Sequence, residues 1–171
     1  EMVVRVQIDG DPDPIIGQLI GVDARIPRRM NLITVRGRTA GNETLSPGGA
    51  RSDGALPVWI SETFVMAHGL QPGDRLSALI NGKYRALVMT GVALSPEYIF
   101  AAMGGLPDQR GFGVFWLDRE ALAAAYDMEG AFNRVAVKLA PGASARSVID
   151  AMQRQLARYG GREAFGREQQ T

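Results

Sequence analysis

The stretch from Val58 to Val92 constrains the fold more than any other part of the sequence. It opens with a segment that predicts a helix, with Ser61 as its N-cap and Gly69 as the residue that ends it in the left-handed conformation. A Leu-Gln-Pro-Gly-Asp turn follows, and Asn81-Gly82 then predicts a type I′ hairpin, because both residues tolerate a positive φ. The unusual residues of the stretch therefore serve the backbone, and none is placed like a nucleophile, a base or a metal ligand.

Strands elsewhere follow from the alternation of apolar and polar residues. This alternation predicts strands over 4–8, 15–22, 75–80, 83–92 and 133–139, and a further short strand is expected over 31–35. The first two should form a hairpin, as should the pair around Asn81-Gly82, where Ile80 should face Lys83. Phe112 to Leu117 is apolar on both faces, which predicts a strand at the centre of a sheet.

Cap residues predict three more helices. One should begin at Ser95 and end near Gly104-Gly105, and one should run from Asp118 through Tyr126. The last should run over 145–159, where Gly160-Gly161 stops it. Helices mixed with tight hairpins favour an α+β fold with mixed or antiparallel sheets over a doubly wound parallel sheet.

Composition limits the partners of the chain. Its 171 residues suffice for one domain or two small subdomains, and its formal charge of +1 gives no field that favours nucleic acid. There is no cysteine, and no apolar run reaches the ~18 residues of a membrane span. Because the sequence opens on Glu1 instead of Met and closes on a polar tail over 167–171, we expect a fragment of a longer protein.

Few residues offer chemistry. Asp9, Asp11 and Asp13 have the spacing that opens a calcium loop, but Pro14 and Ile20 stand where that loop needs Gly and Glu, so a turn is favoured. His68 is the single histidine and lies in the last turn of a predicted helix, where a cation favours the helix dipole. Asp118 and Glu120 are interpreted as a cap and a first-turn acid. The sequence therefore predicts no catalytic residue, no cofactor site and no metal site.

A partner surface is the remaining candidate. The cluster of Arg25, Arg28 and Arg29 could dock an acidic partner or lipid headgroups, or it could be a solvated loop. Segments 41–54 and 104–111 have the composition of exposed loops, which often carry contacts to partners. The predicted surface for a partner or cargo therefore also includes four glycines, namely Gly48, Gly49, Gly104 and Gly105.

Three ordered segments carry a resemblance to a known family. They are Val58-Trp-Ile-Ser-Glu-Thr-Phe through His68-Gly-Leu-Gln-Pro-Gly-Asp-Arg-Leu to Gly91-Val-Ala-Leu-Ser-Pro-Glu-Tyr, then Phe112-Gly-Val-Phe-Trp-Leu, then Asp127-Met-Glu-Gly-Ala-Phe-Asn-Arg-Val. These segments resemble the FtsX-like ABC transporter permeases, and specifically their MacB-type periplasmic core domain. The resemblance covers most of the chain from about residue 33 onward.

The resemblance implies a bacterial membrane protein with this chain on its extracytoplasmic, periplasmic side. It implies a permease dimer and a cytoplasmic ATPase subunit, whose ATP hydrolysis would drive export or extraction of an envelope-associated or hydrophobic cargo. An envelope protein or a lipid could be the cargo or a further partner, with no nucleic acid, no cofactor and no catalysis in this chain. It also implies two subdomains, one from 1–37 plus 129–171 and a second, 38–128, inserted between those two parts.

One alternative comes from another class of protein. Gly-Leu-x-Pro-Gly-Asp segments also occur at turns of small β-barrels that bind peptides or nucleic acid. That alternative predicts a closed barrel with a basic groove, and the charge balance and the predicted helices count against it. An enzyme would need several titratable groups gathered in a pocket, and the sequence offers no obvious set.

Overall fold

A computed structural model describes this chain over residues 1–13, 15–23, 34–36, 51–95, 102–103, 106–107, 109–161 and 164–166. The strands are β1 (Met2–Gln7), β2 (Ile15–Val22), β3 (Thr34–Arg36), β4 (Leu56–Ser61), β5 (Arg75–Ile80), β6 (Lys83–Leu94), β7 (Ala102–Met103), β8 (Leu106–Pro107) and β9 (Phe112–Asp118). The α-helices are α1 (Glu62–His68), α2 (Arg119–Ala125) and α3 (Ala145–Leu156). This mixture confirms the predicted α+β class.

Six of the strands close into a barrel. The large sheet has the order β3-β6-β4-β9-β2-β1-β5, and β5 also pairs with β6, which joins its two sides. The pairs β2–β9 and β4–β6 are parallel, and the other pairs of the ring are antiparallel. β3 lies outside the ring against the end of β6, and β7 pairs with β8 in a separate two-stranded sheet. The leading interpretation of the sequence did not include this closure, because local patterns do not report which distant strands meet.

The predicted hairpins are confirmed. Met2 pairs with Leu19 in the first, and Ile80 pairs with Lys83 in the second. At the tip of the second hairpin the φ values are 48° for Asn81 and 73° for Gly82, as a type I′ turn requires. The expected turn after β1 also forms, because the Asp13 amide donates to Asp11 Oδ1 across 3.2 Å.

Buried side chains from all six strands fill the barrel. The larger buried cluster takes Val4 and Val6 from β1, and the other strands contribute similar apolar residues, together with Phe64 of α1 and Leu122 of α2. A smaller cluster of Trp59, Ala93, Val114 and Trp116 lies on the opposite faces of their strands. The strand β9 contributes to both clusters and lies between β4 and β2, which confirms the prediction of a central strand with two apolar faces.

The ends of the barrel helices agree only in part with the sequence. Gly69 ends α1 with φ 65°, and Asp118 caps α2 by accepting from the Ala121 amide at 2.9 Å. Ser61 precedes α1 but makes no capping hydrogen bond. Its hydroxyl oxygen instead accepts from the buried Val114 amide at 3.2 Å, so it joins β4 to β9. Ser61 therefore occupies the predicted N-cap position, but its hydroxyl does not cap the helix because a long-range partner takes it.

Two predicted elements differ from the structure. No residue over 133–139 lies in a strand, because none of the described segments supplies a neighbouring strand. The helix expected from Ser95 to about Gly104 is wrong at Ala102–Met103, which form β7, while 96–101 and 104–105 lie outside the described residues. The short strand expected over 31–35 is observed as β3, and 31–33 are outside the described residues.

The chain divides into two compact units, Glu1–Arg134 and Val135–Thr171. In the second, the Ser144 hydroxyl caps α3 by accepting from the Ser147 amide at 3.3 Å, and a 3₁₀ turn over Ala157–Tyr159 ends at Gly160. The subdomains expected from the resemblance, 1–37 plus 129–171 and 38–128, stay a prediction. In the barrel unit, β1 and β2 belong to the same ring as β4, β5, β6 and β9. No helix among the described residues has the length and apolar character needed to span a membrane.

Candidate functional site

All seven residues of the predicted partner surface lie outside the part of the chain that the structure describes. They are the arginines Arg25, Arg28 and Arg29 and the glycines Gly48, Gly49, Gly104 and Gly105. Their role in binding a partner or cargo stays a prediction. The described residues offer two other groupings of polar side chains. One lies where the chain enters and leaves the barrel, and the other surrounds His68 at the C-terminal end of α1.

The first grouping joins the residue before β1 to the segment that leaves the barrel. The Asn133 side-chain amide donates to the Glu1 carbonyl at 2.6 Å, and Arg134 Nη1 contacts the two Glu1 carboxylate oxygens at 2.7 and 2.9 Å. Gln18 of β2 donates to the same carboxylate at 2.8 Å. Glu1 therefore connects β1, β2 and the outgoing chain.

The electrostatics of this junction are those of a partly buried ion pair. The Glu1 carboxylate side chain is 20% exposed and Arg134 is 37% exposed, so water screens the pair only in part. Burial lowers the pKa of the Glu1 ammonium, its own carboxylate opposes that shift, and Arg134 adds to it. That ammonium donates to Asn133 Oδ1 at 2.7 Å. The contacts through the Glu1 carbonyl and carboxylate do not depend on the ammonium.

The tip of the second hairpin lies at the same end of the barrel. In the β1–β5 ladder Arg5 faces Leu79, so the antiparallel register brings Asn81 beside the start of β1. The Asn81 side chain donates to Asp127 Oδ2 at 3.1 Å, which ties the hairpin tip to the turn after α2. Asp127 itself has φ 54°, a conformation that Asp tolerates. This end of the barrel is therefore held by side chains from five segments.

The second grouping surrounds His68 at the end of α1. Its Nδ1 lies 3.4 Å from Asp11 Oδ2 and its Nε2 lies 2.9 Å from the Arg110 carbonyl oxygen, while its ring packs on Phe64 with centroids 4.3 Å apart. The Arg110 guanidinium contacts the Asp11 carboxylate and donates to the Ala67 carbonyl at 3.2 Å. His68 thus joins α1 to the turn after β1 and to the segment before β9.

The sequence located His68 in a last helical turn, which the structure confirms, but it missed the two partners. Asp11, His68 and Arg110 are far apart along the chain, and no spacing rule relates them. Only the closure of the barrel brings them together. Among the described residues, no group of three or more His, Cys, Asp or Glu side chains could hold a metal ion.

Other acidic side chains of the described barrel serve turns and caps. Asp74 accepts from the Gln71 amide at 2.8 Å, within the Pro-Gly-Asp turn that leads into β5. Asp53 accepts from the Ala55 amide at 3.1 Å and pairs with Arg75, and these two interactions, in that order, lower the pKa of its carboxyl group. Asp118 caps α2. These carboxylates therefore have a structural role, because their hydrogen bonds fix the positions at which the backbone turns.

Comparisons with known proteins give little further information. No protein-family model matches this sequence, and no curated protein matches it. Among solved structures, the chain is similar to a crystal structure of a domain of a Porphyromonas gingivalis protein that is described as a permease. The two are 16% identical with a TM-score of 0.41, over 92% of this chain and 64% of that chain. This chain therefore spans less than two thirds of that domain, and a likeness at this TM-score carries no argument.

Proposed function

We propose that this chain is a non-catalytic extracytoplasmic domain of an ABC transporter permease of the FtsX-like, MacB type. It would relay the motion that a cytoplasmic ATPase subunit produces, and so help to export or extract an envelope-associated or hydrophobic cargo. The observation that supports this best is the junction of Glu1 with Asn133 and Arg134, together with the sequence resemblance that the barrel segments carry.

The junction fits a barrel unit that is inserted into a longer chain. Such a unit receives the chain at one point and returns it at another, and an insertion is easily accommodated when these two points adjoin. In the barrel unit the Asn133 amide group and the Glu1 carbonyl are 2.6 Å apart. A closed barrel with joined ends can move as one body, because displacing one end requires displacing the other.

The residues that carry the resemblance also have structural roles in the barrel. Val58 to Leu94 builds β4, α1, β5 and β6, while β9 supplies the central strand. Within these segments Gly69, Asp74 and Asn81-Gly82 have backbone functions. The proposed partners are the ATPase subunit, a second permease subunit, and an envelope protein or lipid as cargo.

The full gene provides the first test. It should encode apolar spans of about 18 residues or more on both sides of residues 1–171, with an ATPase that has a phosphate-binding loop nearby. Deleting 2–134 from the full-length protein should then leave membrane insertion and ATPase binding intact, because the ends of the deletion adjoin, while cargo transport is lost. A full-length sequence without such spans would contradict the proposal.

The small binding barrel stays a second candidate, because its prediction of a closed barrel agrees with the observed ring of six strands. Closure of the ring does not discriminate between the two functions, because a barrel filled by buried apolar side chains is compatible with both. Nucleic-acid binding would be seen as a salt-dependent mobility shift with single-stranded or duplex oligonucleotides. We expect no such shift at 150 mM salt, in line with the net charge of +1.

A further inference from the structure

The tip of the second hairpin, Asn81 and Gly82, is the one place in the sequence where an asparagine precedes a glycine. The other asparagines precede larger residues, and they are Asn31, Asn42 and Asn133. An asparagine that precedes glycine loses its side-chain amide most readily, because glycine has no Cβ to keep its backbone nitrogen away from the neighbouring side chain. The turn that shapes the hairpin is therefore also the part of the chain that is chemically most prone to deamidation.

Deamidation at this position needs only these two residues and water. The Gly82 backbone nitrogen attacks Asn81 Cγ, so a bond forms between these two atoms while the bond from Cγ to Nδ2 breaks. The side-chain nitrogen leaves as ammonia with the proton of the Gly82 amide, and a five-membered succinimide ring remains. Water then opens the ring at one of its two carbonyl carbons, which gives aspartate or isoaspartate at position 81.

The folded hairpin holds the two reacting atoms apart. A type I′ turn has a ψ of about +30° at its first central residue, which places the Gly82 nitrogen nearly opposite the Asn81 Cβ across the Cα–C bond. Ring closure requires the nitrogen and the Cβ on the same side, so the tip must open first. Opening breaks the terminal pair of Ile80 with Lys83 and the hydrogen bond from Asn81 to Asp127 Oδ2 at 3.1 Å. Asp127 therefore controls how often the reactive conformation forms.

The product cannot keep the contact with Asp127. A carboxylate only accepts hydrogen bonds, so Asn81 must present its amide nitrogen to Asp127 Oδ2. Deamidation replaces this donor with a carboxylate oxygen, and two like charges then face each other. Isoaspartate also adds a methylene group to the backbone, which a two-residue type I′ turn does not accommodate. Either product therefore breaks the link between the hairpin tip and the turn after α2.

We propose that Asn81 is a site of spontaneous deamidation that Asp127 gates, and that the modification irreversibly releases the hairpin tip from the turn after α2. All of the groups involved belong to the barrel unit. The reaction is independent of the transport role proposed above, because it involves only the tip of one hairpin, the side chain that holds it, and water.

Peptide mapping by mass spectrometry measures the reaction on the 171-residue chain. Trypsin releases residues 76–83, in which Asn81 is the one asparagine. During incubation at pH 8 and 37 °C this peptide should gain the small mass that replacement of NH₂ by OH adds, and chromatography should separate its aspartate and isoaspartate forms. A blocked synthetic peptide of the same sequence lacks the hairpin and should react faster than the folded chain.

Asp127→Gly tests the gate, because glycine adopts the φ of 54° at this position without strain and removes the carboxylate. Loss of one hydrogen bond should speed deamidation of the folded chain by about 2- to 12-fold. Glu129 carries the same charge in the same turn and has no hydrogen bond to Asn81 in the described structure, so Glu129→Ala should leave the rate unchanged. No mass gain in 76–83 of the folded chain, no effect of Asp127→Gly, or equal acceleration by Glu129→Ala would overturn the proposal.

Exchange of the two side chains tests the consequence for the barrel. Asn81→Asp introduces a product carboxylate directly, and it should lower the equilibrium constant for folding by about two- to fivefold in urea unfolding at pH 7. Adding Asp127→Asn restores one amide donor and one carboxylate in reversed positions, so the double variant should recover most of this loss. A double variant no more stable than Asn81→Asp would overturn the release of the tip.

Discussion

Replacing Gly17 by Ala probes the close packing inside the barrel. Gly17 of β2 lies opposite Gly113 of β9 in the parallel ladder, and the Phe115 ring packs against both glycines. A Cβ at position 17 would lie 2.5 Å from Val6 Cγ2, 3.1 Å from Phe115 Cε2 and 3.2 Å from Val4 Cγ2. The two glycines therefore make room for larger side chains in the larger buried cluster.

The cost of the substitution follows from the closest of these contacts. Carbon atoms pack best at about 3.5–4.0 Å, so the new methyl group would overlap Val6 by roughly 1 Å. Val6 is fully buried on a strand that pairs on both sides, so it cannot withdraw without disturbing β2 or β5. Overpacking of this size costs about 1–3 kcal/mol, and Ala regains about 0.5–1 kcal/mol over Gly in a strand. We expect a net loss of about 0.5–2 kcal/mol in the free energy of unfolding.

Urea unfolding followed by the fluorescence of the buried Trp59 and Trp116 measures this loss. Val6→Ala should relieve the overlap, so the double variant should lose at least about 1 kcal/mol less than the sum of the single variants. Val3→Ala, on the exposed face of the same strand, is the matched control and should change stability by less than about 0.5 kcal/mol. Full stability of Gly17→Ala, or additive effects with Val6→Ala, would refute the reasoning.

Three further predictions concern side chains that hold the turns and ends of the barrel. Asp118→Ala removes the cap of α2 and should cost about 1 kcal/mol in urea unfolding, while Asp118→Asn should restore most of it; equal losses would contradict the capping role. The pKa of Asp53 is lowered in the folded state, so its ionised form contributes stability above about pH 4 that is lost as the pH falls through the folded pKa. Asp53→Asn should therefore lower stability at pH 7 more than at pH 3, and a loss that is the same at both pH values would exclude this linkage. Arg134→Ala removes the ion pair with the Glu1 carboxylate and should cost no more than about 1 kcal/mol, with the loss shrinking in 1 M NaCl; a loss that salt leaves unchanged would show that the ion pair is not its source.

Local elements of the barrel could be predicted because each has a local cause. The Asn81-Gly82 turn, the αL residue Gly69 and the Asp118 cap depend on residues within one or two turns of the chain. The two apolar faces of β9 likewise predicted its central position. Closure of the ring could not be predicted in the same way, because the β1–β5 and β2–β9 pairs join residues that are about 70 to 100 positions apart.

The candidate site shows the same limit more strongly. Glu1 meets Asn133 and Arg134 only because β1 lies where the chain leaves the barrel. Asp11 meets His68 only because β1 and β4, the strand that leads into α1, belong to one ring. Ser61 lies at the N-cap position that the local sequence predicts. Its hydroxyl oxygen nevertheless accepts from the Val114 amide of a distant strand, which a local pattern cannot indicate. The strand expected over 133–139 has the right alternation, but a strand also needs a neighbour, which the sequence pattern cannot supply.

The side of the membrane on which this domain lies tests the central claim most directly. The chain has no cysteine, and Met66 on α1 is 76% exposed, so Met66→Cys in a cysteine-free full-length protein introduces one accessible thiol. A membrane-impermeant maleimide added to intact spheroplasts should label this thiol without permeabilisation, while a cysteine in the ATPase partner should react only after permeabilisation. Labelling of Met66→Cys that requires permeabilisation would place the domain in the cytoplasm and contradict the account.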